Sequence, residues 1–394
     1  MNDLNYESKK TNNKTVKVAV ITGICSFLLA IVICLITFFS VPGMGNLLLA
    51  NKLIRQNHLG EYDREKLEDS MLAGFVSGLE DKYSGYLNEE GSKGRSDRLS
   101  GAAEGIGITY MKHPDMDALY VIKVFEGSPA KLAGLEKGDI ITRIDGVSIA
   151  DSGVNEAIAS IPREIGESIS LSLDRNGKSI ETSVKYSAIA VQTVFYQKIE
   201  HFGYIEITSF NDKTVAQFSK AVTDLTEQGI KGLIFDLRAN GGGTVDSVGK
   251  ILDTLVGEGA VMTVRYKDGS EAVRIHSDKK EIDLPMAVLT DGRTASAAEL
   301  FAATIRDFNK GVLVGEKTYG KGVMQNTYLL FGGSSLVLTV AEFLPHSKNP
   351  FNEIGILPDI EVSLTEEELK YRYLKPITED RVFMAAYNKL LGDL

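Results

Sequence analysis

The sequence predicts an α/β protein that is preceded by one membrane-spanning helix. From residue 188 onwards, short apolar runs typical of buried strands alternate with stretches of helical periodicity, and this order favours an α/β core. Before it, short alternating runs punctuated by Gly pairs indicate a smaller, strand-rich domain. We therefore expect five segments: a tail over 1–17, the spanning helix over 18–41, a helical region over 42–92, the strand-rich domain over 93–187, and the core with a C-terminal helical tail over 188–394.

The apolar segment 18–41 is long enough to cross a bilayer as a helix. It has 24 residues without a charged side chain, and about 20 are sufficient. Four lysines and only two acidic residues precede it, so the positive-inside rule keeps the N-terminus in the cytoplasm. A cleaved signal peptide is the alternative, but no A-x-A-like site follows the segment. We expect a single-pass protein of the cell membrane whose catalytic part, if it has one, is extracytoplasmic.

Composition and histidine positions exclude several kinds of chemistry. Both cysteines lie inside the apolar segment, so the part after it has no thiol for disulfides, metal ligation or nucleophilic catalysis. The net charge of −10 argues against a nucleic-acid partner. None of the five histidines stands in a triad or H-E-x-x-H pattern, and no G-x-S-x-G motif occurs. We therefore expect no metal and no other cofactor.

The strand-rich segment 93–187 contains a recognisable order of turns. Gly105-Ile106-Gly107-Ile108 opens a strand, Ser128-Pro129-Ala130 fits a helix start, and Asp145-Gly146 fits a hairpin turn. This order resembles a PDZ domain. The resemblance implies that Gly105, Ile106, Gly107 and Ile108 bind the free C-terminus of a peptide through successive N–H groups. A PDZ-shaped spacer that binds nothing is the alternative.

Two features of the core are compatible with nucleophilic catalysis. Gly241, Gly242 and Gly243 follow the apolar run 231–237, where bare main-chain N–H groups allow a substrate backbone to approach. Ser296 stands between the apolar run 286–290 and an Ala-rich helix expected over 295–308. The positive end of that helix can stabilise a developing oxyanion, although this segment alone favours the N-cap role that is very common for a serine at a helix start.

A lysine further along the core could serve as a base. Lys321 lies between Gly320 and Gly322 in an otherwise apolar region, and Gln325 follows four residues later on the same side. Burial can lower the pKa of a lysine far enough for it to accept a proton at neutral pH. A surface lysine in a turn is the alternative.

Together, these segments resemble the C-terminal processing peptidases, also called tail-specific proteases. The matching runs are Asp236 to Gly243, Thr294-Ala-Ser-Ala-Ala-Glu299, Thr318-Tyr-Gly-Lys-Gly-Val-Met-Gln325 and Gly355 to Asp359. The resemblance implies a crotonase-like ββα core with the PDZ domain inserted near its front. It also implies that Ser296 attacks a peptide carbonyl, Lys321 is the general base and then acid, and Gln325 positions Lys321.

The same resemblance implies an oxyanion hole and a class of substrate. The hole would consist of the N–H of Ala297 and that of Gly242 or Gly243. Substrates would be exported proteins or peptides with free C-termini, cleaved at or near those ends. A catalytically silent PDZ scaffold that tethers partners at the membrane surface is the rival interpretation. The sequence leaves open whether the protein forms a homo-oligomer.

Overall fold

The computed structural model describes residues 2–40, 43–161, 164–278 and 280–393. Four ends of predicted segments, at residues 1, 41, 42 and 394, lie outside the described residues. The chain divides into two units, Met1–Ser70 and Met71–Leu394.

The described part of the chain folds into helices and strands over most of its length. The helices are α1 (Asn2–Phe39), α2 (Met44–Asn57), α3 (Arg64–Ser77), α4 (Glu89–Ser100), α5 (Pro129–Leu132), α6 (Ile149–Ser152), α7 (Val154–Ala159), α8 (Thr214–Glu227), α9 (Val245–Leu255), α10 (Ala297–Asp307), α11 (Glu366–Tyr371) and α12 (Arg381–Gly392). The strands are β1 (Gly85–Leu87), β2 (Ala102–Gly105), β3 (Ile108–Lys112), β4 (Leu119–Val124), β5 (Ile140–Ile144), β6 (Val147–Ser148), β7 (Ser168–Arg175), β8 (Lys178–Lys185), β9 (Ser187–Ala190), β10 (Val194–Ile199), β11 (Phe202–Ile207), β12 (Leu233–Asp236), β13 (Gly259–Tyr266), β14 (Glu271–Ser277), β15 (Met286–Thr290), β16 (Gly311–Gly315), β17 (Val323–Leu329), β18 (Ser335–Leu344) and β19 (Ile360–Glu361).

The first unit contains the predicted apolar helix. Within α1, the 22 residues Thr15–Ile36 are long and apolar enough to cross a membrane, and none of that stretch is buried. An apolar N-terminal helix is therefore confirmed. A signal sequence near the N-terminus can also form a helix that is this long and apolar, so anchoring stays a prediction.

The strand-rich domain is built on the sheet β3-β4-β5-β7-β8, with β6 paired to β5. Ser128 is the N-cap of α5 and Pro129 its first residue, as the sequence predicts. A Cβ on Gly107 would lie 2.2 Å from the Cβ of Ser128, and Gly107 has φ +85°. Only glycine fits this close turn without strain.

The domain is inserted through two neighbouring strands. β2 leads into it and β9 leads out, and the two pair antiparallel with Ala102 opposite Ala190. The predicted boundary at residue 93 falls inside α4, which runs on to Ser100. The α4 sequence is mostly polar and lacks the apolar periodicity that would have marked a helix there.

The core is a six-stranded sheet in the order β10-β11-β12-β15-β16-β19, parallel from β11 onwards. Phe235 packs on one face with residues of α8, α9 and α10, such as Phe218, Val248 and Phe301. Its neighbour Ile234 packs on the other face with α12. This two-sided burial explains the continuous apolar runs from which β12, β15 and β16 were predicted.

A buried charge network fixes the end of β12. Arg238 Nε and Nη2 donate to Asp236 at 2.9 and 2.6 Å, and its Nη1 donates to Asp380 at 2.8 Å. Arg372 Nη2 also donates to Asp236, at 3.0 Å. Burial alone would raise the pKa of Asp236, but Arg238 and Arg372 hold it far below its ordinary value. The loop after β12, which we call the glycine loop, contains Gly241, Gly242 and Gly243. The network links the start of this loop to Asp380, the N-cap of α12.

Candidate active site

The glycine loop after β12 packs directly against the strand-to-helix junction at Ser296. A Cβ on Gly242 would lie 2.8 Å from the Cβ of Ser296 and 2.9 Å from the backbone nitrogen of Ala297. Gly242 also has φ +98°, where other residues are strained. Glycine at this position is therefore what allows the loop to reach the serine.

The loop's hydrogen bonds distinguish the two glycines offered as oxyanion-hole donors. The N–H of Gly242 donates to Asn240 Oδ1 at 2.8 Å, so it is already engaged. Among the described residues, the N–H groups of Gly243 and Ala297 have no hydrogen-bond partner. Ala297 is the first residue of α10, where the helix leaves its N–H groups unsatisfied. The two free donors are thus Gly243 and Ala297.

Ser296 is the N-cap residue of α10 and has an unusual backbone. Its φ of 58° and ψ of −120° lie outside the regions that non-glycine residues favour. Strain of this kind persists only where neighbouring contacts impose it. Ser296 can therefore be both the N-cap residue and a nucleophile, two roles that were alternatives from the sequence alone.

Glu299 imposes this geometry, although no role was predicted for it from the sequence. Its carboxylate is fully buried and accepts the N–H of Ser296 at 2.8 Å. The same carboxylate accepts the N–H groups of Gly320 and Lys321 at 2.7 and 2.8 Å, and the hydroxyl of Thr318 at 2.5 Å. One side chain therefore holds the backbones of Ser296 and Lys321 together. The signal was available, because Ser296-Ala-Ala-Glu299 fits the capping-box pattern.

Lys321 is half-buried, and its surroundings favour the neutral amine. Burial lowers the pKa of Lys321 below the ordinary lysine value, and the positive charge of Arg95 lowers it further. The carboxylates of Asp81 and Glu299 oppose this shift. Lys321 Nζ also lies 4.7 Å from the centroid of the Tyr83 ring. A lysine with a lowered pKa in a cavity is a candidate general base.

The segment 78–87, which lies between α3 and α4, contributes to the same place. Ser84 Oγ donates to Asp81 at 2.5 Å and accepts the N–H of Thr339 at 3.0 Å. Burial opposes ionisation of Asp81, but hydrogen bonds from Ser84 and Thr339 hold its pKa below the ordinary value. No motif marks Asp81 or Tyr83 in the sequence, and only long-range contacts bring them to Lys321.

Gln325 lies in the cavity but makes different contacts from those expected. Its Nε2 donates to Val323 O and to Thr339 Oγ1, each at 3.3 Å. Among the described residues, no hydrogen bond joins Gln325 to Lys321. A positioning role for Gln325 remains a prediction, and in this geometry it would act through Thr339.

A cavity of about 590 Å³ brings most of the predicted site together. It is lined by residues that include Ser296, Ala297, Lys321, Gln325, Gly242 and Gly243. No histidine is among the described residues that line it. Sequence positions about 80 residues apart therefore meet in one cleft.

The predicted peptide-binding turn lies in the strand-rich domain instead. Ile106 O accepts the N–H of Ala130 and Gly107 O accepts that of Phe125, each at 2.9 Å. Among the described residues, the N–H groups of Ile106 and Gly107 have no partner. Ile108 begins β3, whose one paired neighbour among the described strands is β4.

Comparisons with known proteins agree with this architecture. Residues 201–362 match the model of peptidase family S41, and residues 104–186 match that of the PDZ domain. The chain is 33% identical over 320 residues to the carboxy-terminal processing protease CtpA of Bacillus subtilis (strain 168), covering 80% of this chain and 68% of that protein. It is 30% identical over 335 residues to a CtpA-like serine protease of Staphylococcus aureus (strain COL), covering 84% of this chain and 66% of that protein.

The chain thus spans about two thirds of the length of these relatives. A solved S41 protease structure from Bacteroides fragilis shares the fold, with 20% identity, a TM-score of 0.62, and coverage of 86% of this chain and 93% of that one. The fold and the site define a serine peptidase that carries a PDZ domain. The chain belongs to peptidase family S41.

The first prediction concerns Glu299. We expect Glu299→Gln to lower kcat by about 100-fold, because the amide cannot accept four hydrogen bonds and both backbones move. Thr318→Val removes one of the four donors and should cost much less. The measurement is turnover of a fluorogenic peptide by purified full-length variants, with circular dichroism to check folding. A folded Glu299→Gln protein with wild-type kcat would contradict the positioning role.

Proposed function

We propose that this chain is a membrane-anchored serine endopeptidase that cleaves exported proteins at or near their C-termini with a Ser296–Lys321 dyad. The observation that carries the proposal is the shared carboxylate of Glu299, which holds both backbones at one cavity. The parallel sheet with α8, α9 and α10 on one face supports a crotonase-like core. No metal or nucleotide takes part.

The first chemical step is attack by serine. Neutral Lys321 accepts the proton of Ser296 Oγ as the oxygen bonds to the peptide carbonyl carbon. The negative charge that develops on the carbonyl oxygen is stabilised by the N–H groups of Ala297 and Gly243, the two free donors. We therefore choose Gly243 over Gly242 for the oxyanion hole.

The remaining steps return the enzyme to its starting state. Lys321 gives its proton to the leaving amine, the C–N bond breaks, and an acyl-enzyme on Ser296 remains. Lys321, again neutral, accepts a proton from a water molecule that attacks the acyl carbon. The tetrahedral intermediate collapses, the proton passes to Ser296 Oγ, and the new carboxylate product leaves.

The cleft supports binding of the substrate as an extended strand. β17 forms one wall from Val323 to Thr327, and its only paired neighbour among the described strands is β18. A peptide can add to such an edge by main-chain hydrogen bonds. Met262, Leu300 and Phe343 line the interior of the cavity and suit an apolar side chain next to the cleaved bond.

The PDZ domain would capture the substrate's end. The free N–H groups of Ile106 and Gly107 support carboxylate binding within the Gly105–Ile108 turn. The domain touches the core through Lys123, whose Nζ lies 2.5 Å from Glu206 on β11. Peptide binding that moves this domain would therefore act on the core sheet, which supports gating of the peptidase by substrate.

The intact dyad disfavours the silent scaffold. A scaffold without catalytic activity would not require a lysine whose pKa is lowered next to a serine with a strained backbone. The membrane part of the proposal rests on the apolar stretch Thr15–Ile36 and on the lysines before it.

The second prediction tests the dyad. Because the pKa of Lys321 is lowered, the neutral base should appear below the pH at which free lysine deprotonates. The kcat/KM should therefore rise with pH through an apparent pKa below the ordinary lysine value and then level off. Lys321→Arg should lose about 10³-fold or more, because a guanidinium stays protonated.

Controls separate the lysine from other bases. Lys321→Ala should be as inactive as Lys321→Arg, Gln325→Ala should lose about tenfold, and Ser296→Ala gives the background. Replacing all five histidines should leave turnover largely intact in a folded protein. An active Lys321→Arg together with a histidine variant that is folded but inactive would show that the base is wrong.

The third prediction concerns carboxylate capture. A peptide with a free C-terminus should bind the full-length Ser296→Ala protein more tightly than the same peptide with an amidated end, since the amide lacks the charge that the N–H groups stabilise. Gly107→Ala should reduce this difference, because its Cβ would collide with Ser128. Fluorescence anisotropy measures both affinities. Equal binding of acid and amide would leave the domain as a spacer.

The fourth prediction concerns topology. If Thr15–Ile36 lies in an uncleaved anchor, protease added to intact spheroplasts should degrade the bulk of the protein and leave a short membrane-protected N-terminal fragment. N-terminal sequencing of the mature protein should begin at or near Met1. A mature chain that starts shortly after residue 41 would identify the segment as a signal peptide.

A further inference from the structure

The cleft carries more positive charge than the catalytic steps require. Three arginines line it together with Lys321: Arg95, Arg98 and Arg274. Among the described lining residues, Asp246 is the one carboxylate, and it pairs with Arg274 at 3.1 Å. Arg95 and Arg98 therefore have no carboxylate partner among the described lining residues, although the net charge of the protein is −10. The cleft is thus a basic site on an acidic molecule.

Arg95 is held in place without a counter-ion. Its Nε donates to the neutral Thr327 Oγ1 at 3.1 Å, and the side chain is half-buried. Burial lowers the pKa of Arg95, and the neighbouring charge of Arg98 lowers it further. No described carboxylate forms an ion pair with either arginine. Burying an unpaired charge is costly, so this geometry is suited to an anion that arrives with the substrate.

The position of Arg95 relates it to the bound peptide. Thr327 lies on β17, four residues beyond Val323, where that wall of the cavity begins next to Lys321. At about 3.3 Å per residue, this is a distance of about 13 Å along a strand. A peptide extended along β17 from Ser296 would therefore bring its nearby side chains, or its own end, beneath the guanidinium.

We propose that Arg95, assisted by Arg98, is a specificity-determining residue that binds a carboxylate of the substrate within about four residues of the cleaved bond. The inference rests on the proposed peptidase function. The carboxylate belongs either to an Asp or Glu side chain or to the substrate's C-terminus. A guanidinium binds a carboxylate through two parallel hydrogen bonds. Lys93 lies on the same helix but is exposed and outside the cavity, so it cannot contact the bound substrate there.

The test uses quenched fluorescent peptides with one fixed cleavage site and the full-length protein in detergent. One arm exchanges Glu for Gln at each of the four positions on either side of the site. A second arm places a free or an amidated C-terminus within the same distance. The measured quantity is the ratio of kcat/KM for the carboxylate peptide to that for its neutral partner. This ratio cancels any general effect of Arg95 on the base.

We expect wild type to prefer the carboxylate by about tenfold or more at one position, as one charge-assisted contact would give. Arg95→Gln should abolish that preference, Arg95→Lys should retain part of it, and the control Lys93→Gln should keep it unchanged. The arm in which the preference appears identifies the source of the carboxylate. The preference should also weaken as salt is added.

Two results overturn the inference. One is the absence of any carboxylate preference in a wild-type protein that cleaves the neutral peptides. The other is a preference that Arg95→Gln and Arg95→Lys both leave unchanged. Turnover that is lost in Ser296→Ala shows that the peptidase function stands even if the inference fails. Wild-type cleavage that does not exceed the Ser296→Ala background overturns the peptidase function itself.

Discussion

The candidate site depends on one buried carboxylate. Glu299 accepts four hydrogen bonds from two segments that are distant in sequence, and none of its surface is exposed. A buried charge without partners costs several kcal/mol, roughly what four donors repay. The arrangement is therefore stable only when the serine junction and the lysine loop are both in place.

The two carboxylates near Lys321, those of Glu299 and Asp81, are satisfied by hydrogen bonds and not by the ammonium of Lys321. Glu299 is satisfied by main-chain N–H groups and a hydroxyl, and Asp81 by Ser84, Thr339 and the N–H of Tyr83. Neither carboxylate forms a salt bridge with Lys321 among the described residues. Burial and Arg95 can therefore outweigh their attraction for the ammonium. Carboxylates so placed organise the backbone while leaving the amine free to lose its proton.

The sequence predicted those parts of the molecule that short-range patterns encode. The bounds of β15 and β16 were predicted from their apolar runs, because a strand that is buried on both faces consists almost entirely of apolar residues. Ser296, Lys321 and the glycines stood out by local context. Arg95 and Asp81 did not, since α4 is polar and the 78–87 segment is irregular, and both acquire their place only through contacts more than 200 residues away. Glu299 had a local signal, but its bonds to the lysine loop are long-range.

The pairing of β2 with β9 has a consequence for the origin of such proteins. Because the inserted domain enters and leaves through adjacent antiparallel strands, its two ends coincide at one place on the core. A domain whose two ends are adjacent can be inserted into another chain at a small cost in loop-closure entropy. The insertion only lengthens one turn of the chain that receives it. Recognition and cleavage can then diverge separately. One peptidase core can acquire a different inserted domain by recombination at this two-stranded ribbon, without redesign of the cleft.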